Sequence, residues 1–260
     1  TIGRGIFNFN DGNIHIVKLR VKDAYGNSSE LEFNVESKYS NVNYVVPDYT
    51  KIFRYNETNE YTTDNLKLTV ANGNLYNDLN FQYKSIPGKK PFYSDIHFVH
   101  NKTVPIHKNA ELKIRVNTVP GHLEPKLLLV NVDTTTWKFS AAGGEYSDGW
   151  VTGNIQNFGI YAVTADSIPP VINPLSIKDN NTLTESNRIR FRISDNLAGI
   201  DKINGYIDGK WALFEYDQKN NLITHYFDAT RFELNKRHQF RLNVSDYKGN
   251  TAVYEASFWK

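Results

Sequence analysis

The sequence predicts an all-β protein made of tandem β-sandwich modules, the last of them immunoglobulin-like. Three observations point there. Short runs of alternating apolar and polar residues fill the chain, as in Leu66-Lys67-Leu68-Thr69-Val70, and turn residues separate them. No stretch carries a sustained helical period with caps. One two-strand unit is also written twice, as HIVKLRVKDAYGNSSELEF from His15 to Phe33 and as HQFRLNVSDYKGNTAVYEASF from His238 to Phe258. Asp23, Gly26 and Asn27 of the first copy match Asp246, Gly249 and Asn250 of the second at one constant offset. Such self-similarity marks a reused structural unit.

Residues 1–38 supply the first copy. Ile14, Ile16, Leu19 and Val21 form an apolar comb with a phase shift after Ile16, which predicts a bulge. Asp23-Ala24-Tyr25-Gly26-Asn27 makes the turn, where glycine takes a positive φ and the aspartate caps backbone N–H groups. Leu31, Phe33 and Val35 return. A lone hairpin is marginal in water, so the segment reads as the closing hairpin of a truncated immunoglobulin-like module. No signal peptide opens the chain at Thr1, and it reads as a fragment.

Residues 39–166 form the second module. YSNVNYVVP (39–47) is a linker or first strand, and strands then follow one another. Pro125-Lys126-Leu127-Leu128-Leu129-Val130 opens a continuous apolar run, which predicts a strand buried on both faces. Pro169-Pro170 is a stiff connector, since a proline pair cannot join a ladder. Residues 167–260 then give six or seven strands at the spacing of an immunoglobulin-like sandwich.

Composition removes several chemistries. Absence of cysteine removes disulfides, thiolate catalysis and cysteine-type zinc sites, and it suits a bacterial envelope protein. A net charge of +2 without a basic stripe argues against nucleic acid. No apolar run reaches the ~18 residues of a spanning helix. No Gly-x-Ser-x-Gly motif is present.

The remaining site candidates compete with simpler readings. His97, His100 and His107 are weak metal candidates, because positions three apart on a strand face opposite ways. Asp23 and Asp246 are calcium candidates, yet the turn alone explains them. Asp195 and Asp201 form a somewhat better acidic cluster, with a solvated loop as the simpler reading. No metal and no cofactor is therefore expected. Trp211, with Phe214 and Tyr216 close behind it, and Trp150 are candidates for an aromatic binding platform; core packing is the competing role for each.

Four phrases carry a resemblance. They are GIDKINGYIDGKWALFEYD, RLNVSDYKGNTAVYEASF, FGIYAVTADSIPPVINPLSI and DGNIHIVKLRVKDAYGNSSELEFNV. Together they resemble the C-terminal β-sandwich region of Bacteroidetes envelope proteins that carry a lysostaphin-type zinc metalloendopeptidase domain upstream. That family binds zinc through His-x-x-x-Asp and a later His-x-His. Neither pattern occurs here, so no catalytic residue carries over. The resemblance implies a non-catalytic accessory region of a peptidoglycan peptidase, in the periplasm or on the outer surface. Its expected partners are peptidoglycan, another glycan or a second envelope protein. A carbohydrate-binding or adhesion module using exposed aromatics is the alternative.

Overall fold

The duplicated turn folds the same way twice. In the computed structural model, which describes residues 7–38, 47–183, 186–228 and 233–260, Asp23 Oδ1 accepts the N–H groups of Tyr25 and Asn27 at 2.9 Å each. Asn27 Nδ2 donates to Asp23 Oδ2 at 2.7 Å. In the second copy Asp246 Oδ1 accepts from Lys248 N (2.8 Å) and Asn250 N (2.9 Å), and Asn250 Nδ2 donates to Asp246 Oδ2 at 2.7 Å. Gly26 and Gly249 take φ of 87° and 70°, which a β-carbon would resist.

The chain divides into two units, residues 1–48 and 49–260. In the first, Ile14–Lys22 pairs with Ser28–Glu36 in one unbroken antiparallel register. The expected bulge is absent. Val17 explains the apparent phase shift: Val17, Leu19 and Val21 lie opposite Phe33, Leu31 and Ser29 on one face, while Ile14 and Ile16 occupy the other. The segment 39–46, read as a linker or first strand, falls outside the described residues.

Within residues 49–260 two cores sit in series. The first lies between two five-stranded sheets. One runs, in spatial order, Lys138–Gly143, Leu127–Asp133, Gly159–Ala165, Ile96–Val99, Tyr83–Ile86. The other runs Glu145–Ser147, Trp150–Ile155, Ala110–Arg115, Leu66–Val70, Asn59–Thr62. Lys51–Phe53 and Leu79–Phe81 make a small extra ladder whose Phe53 and Phe81 rings stack at 4.3 Å. Leu127 and Leu129 point into the main core, whereas Leu128, Val130 and Val132 pack on the outer face with Phe92 and Phe139. The strand is thus buried on both sides, as its unbroken apolar run predicts.

The second core belongs to the last sandwich. One sheet runs Val171–Pro174, Arg188–Ser194, Leu222–Tyr226, Glu215–Asp217. The other runs Asn181–Thr182, Thr251–Trp259, Arg237–Asp246, Ile200–Ile207, Lys210–Ala212. In immunoglobulin lettering these are the A-B-E-D sheet and the G-F-C sheet, the latter extended by a C′ strand and by a short first-strand segment parallel to G. Along Arg188–Ser194, Ile189, Phe191 and Ile193 are fully buried between the arginines, so the alternation seen in the sequence is the alternation of faces.

Gly205 shows how tightly this core is filled. A β-carbon there would lie 2.3 Å from the Phe214 ring. We therefore expect Gly205→Ala to cost about 2 kcal/mol by overpacking, read as a shift in denaturation midpoint at unchanged m-value.

The two sandwiches touch directly beside Pro169-Pro170. Leu197 and Ala198, in the loop joining strands B and C, pack on the outer face of the Leu127–Asp133 sheet. The turn joining F and G adds polar contacts. Lys126 Nζ donates to Lys248 O (2.6 Å), Lys248 Nζ to Gly144 O (2.6 Å), and Asn250 Nδ2 to Asp166 O (2.9 Å).

Candidate functional site

The end of the last sandwich away from that junction carries a groove of about 560 Å³. It opens where the edge strands of the two sheets meet, Lys210–Ala212 from one and Glu215–Asp217 from the other. Asp208 and Gly209 turn the C–C′ hairpin, both at positive φ, and place Trp211 opposite Tyr206. Trp211 (54% exposed), Leu213 (60%) and Tyr226 (50%) give the groove its apolar surface.

Phe214 and Tyr216 do not join that surface. From Trp211 onward the chain alternates, so odd positions face out and even positions face in. Phe214 is a core residue beside Phe191 and Phe240, and Tyr216 packs partly buried on the same core. Trp211 stands an odd number of positions from both Phe214 and Tyr216, so it cannot share their face. That parity was the available signal, and it points instead to Leu213 and Glu215 as neighbours of Trp211. Phe214, across Gly205, anchors the segment that presents Trp211.

Trp150 lies on the other sandwich and its ring is already engaged. The Lys67 ammonium sits 4.9 Å from the ring centroid and the Arg115 guanidinium 6.0 Å.

Polar groups line the groove around its aromatics. Asp208 accepts from His238 Nδ1 (2.7 Å) and Gln239 N (2.8 Å). Burial raises the Asp208 pKa, but these donors outweigh it and leave the carboxyl below its ordinary range. Burial holds the His225 pKa down, against the opposing hydrogen bond of its Nδ1 to Leu213 O at 2.8 Å. Glu215 and Lys210 complete the rim. Two exposed rings among fixed acceptors and donors suit a flat ligand rich in hydroxyl groups.

The histidines read from the sequence are not brought together. His97 is fully buried and shares a 2.8 Å hydrogen bond with the Tyr83 hydroxyl. His100, just past the strand at φ 54°, accepts from Gln82 N and lies against Phe81 and Phe158. His107 bonds the Tyr76 hydroxyl. Among the described residues, none of the three belongs to a group able to hold a metal ion. Asp23 spends both its oxygens on its own turn, and Asp201 pairs with Lys202 at the surface. Asp195 and Asp246, by contrast, meet Asp166 at the junction.

Sandwiches in series, the second immunoglobulin-like with an open aromatic groove, define a modular all-β protein. Comparison with known families finds a Zu5-like domain at residues 50–166, which is the first of the two sandwiches. Comparison with curated proteins finds no match. Among the described residues no helix is long and apolar enough to cross a membrane.

Proposed function

We propose that the chain is a non-catalytic accessory region of a bacterial cell-envelope protein, and that it binds a glycan in the Trp211 groove. The observation that carries this reading is the exposure of Trp211, Leu213 and Tyr226 around one cavity rimmed by Asp208, Glu215 and Lys210. A stacked ring supplies affinity to a sugar face, and the rim supplies hydrogen bonds to its hydroxyls. The resemblance to regions that follow a lysostaphin-type peptidase domain supports peptidoglycan as the glycan and wall positioning as the purpose. The direct contacts between the two sandwiches support a spacing role as well.

Titration of tryptophan fluorescence with soluble peptidoglycan fragments tests the reading. We expect saturable binding that Trp211→Ala weakens about tenfold and Trp150→Ala leaves unchanged. Binding that is insensitive to Trp211→Ala would remove the groove from the proposal. Hydrolysis of the fragments by the isolated chain would remove its non-catalytic part.

A further inference from the structure

The first sandwich carries a cavity of its own, of about 540 Å³, at the end away from the junction. Strand parity builds it. Along Leu127–Asp133, Leu127 and Leu129 face the main core, and Asn131 is the next position on that face. An apolar comb thus ends in an amide. Asn131 lies opposite Ser140 on one neighbouring strand and Tyr161 on the other, and both line the cavity with it. The buried side chains of Ile155 and Phe158 form its floor, and the exposed Asn154, Gln156 and Lys102 stand on its rim.

The polar groups are held in place. The Asn131 amide donates to the Tyr161 hydroxyl, which donates in turn to Asn157 O at 2.7 Å. A β-carbon on Gly159 would lie 2.9 Å from Asn131 Nδ2, so that glycine leaves the amide its room. Lys102 sits in a turn that Asn101 closes: Asn101 O accepts from Val104 N and its Oδ1 from Thr103 N, each at 3.0 Å.

Charge sets this cavity apart from the Trp211 groove. Asp208, Glu215, Asp228 and Glu233 line the groove, with Lys210 among them. Among the described residues lining the cavity, Lys102 carries the one charge and there is no carboxylate. Lys102 forms no ion pair among the described residues. A carboxylate entering the groove meets like charges, whereas here it meets an ammonium. The side-chain amides decide what the rest of the ligand is. Each offers a C=O acceptor beside its N–H donors. A bare inorganic anion uses only the donors, whereas a sugar hydroxyl uses both.

We infer that this cavity binds a carboxylate-bearing sugar, a uronic acid unit of an acidic glycan. Lys102 pairs with the carboxylate, and the amides of Asn131, Asn154 and Gln156 take the ring hydroxyls. The volume falls in the usual range for a small-molecule site. The inference does not rest on the Trp211 groove, which lies on the other sandwich and carries the opposite charge.

Calorimetric titration of the full chain with trigalacturonate at neutral pH and low salt tests it. A neutral chitotriose, an acidic tripeptide and inorganic phosphate serve as comparisons. We expect one site for trigalacturonate, weakened by added salt, and binding at least about tenfold weaker for each comparison. Lys102→Gln should weaken the acidic sugar about tenfold, and Asn154→Asp, which adds a carboxylate, at least as much. Both positions are exposed, so an unchanged denaturation midpoint is expected in each variant. Trp211→Ala should leave trigalacturonate binding intact, which separates failure here from failure of the groove. No heat with trigalacturonate, or equal binding after Lys102→Gln, would overturn the inference. Phosphate or the tripeptide binding as tightly as the sugar would overturn it too, by showing a site for charge alone or for peptide.

Discussion

Replacing Asn250 by alanine should lower stability by about 3 kcal/mol, whereas the same change at the matching Asn27 should cost well under 1 kcal/mol. Both asparagines hold the same turn, and both donate to its aspartate at 2.7 Å. Their surroundings differ. Asn27 and Asp23 are exposed, so water replaces what the alanine variant loses. Asn250 is 7% exposed and donates a second bond to Asp166 O, so its loss strands two buried acceptors. Denaturant unfolding of the full chain measures the first change. Comparable losses for the two variants would mean that the junction contributes nothing to the turn.

Acid should weaken the first sandwich in a window set by His97. The ring is fully buried, shares one nitrogen with the Tyr83 hydroxyl, and has its Nε2 buried without a partner. Burial pushes its pKa down from 6.5 to about 4, with the Asp95 charge opposing. Above pH 6.5 the imidazole is neutral whether folded or unfolded, and the group contributes no pH dependence. As pH falls below 6.5 the unfolded chain takes up a proton that the folded one refuses, and stability declines until pH approaches 4. The loss over that window is roughly 3 kcal/mol. Burial also depresses His100 and His225, which adds to the slope. Comparing wild type with His97→Gln between pH 7 and 4 isolates the His97 share. An unchanged slope in the variant would remove this account.

The parts of the fold legible in the sequence are those set by short-range chemistry. Gly26 and Gly249 announce turns because other residues resist their φ, and the alternation in Arg188–Ser194 announces a half-buried strand. The run from Leu127 to Val132 announces a doubly buried one for the same reason. Two kinds of information were hidden. Trp211 to Tyr216 spans two short edge strands, and both alternating sets of positions carry large apolar side chains, so hydrophobicity does not say which set meets the core; only parity separates Trp211 from Phe214. The junction was hidden by distance along the chain. Asp246 reads as a turn residue and Asp195 as a loop residue, and each is that; nothing local brings them to Asp166. The phase shift in the first hairpin vanishes once Val17 is counted in the apolar comb, because Val17 shares the face of Leu19 and Val21.

The placement of the last strand, Thr251–Trp259, bears on how the protein is made. It lies inside its sheet, between Arg237–Asp246 and the Asn181–Thr182 segment, and Phe258 is fully buried. Asn180 N and Leu183 N bond to Ser257 O and Trp259 O. Until residue 259 leaves the ribosome, the Asn181–Thr182 segment has no ladder to join and the Phe258 position in the core is vacant. The first sandwich, complete by residue 166, can fold while synthesis continues; the second must wait for its final strand. A nascent chain released short of residue 258 would therefore carry one finished sandwich and one open core, a natural substrate for chaperones or proteases.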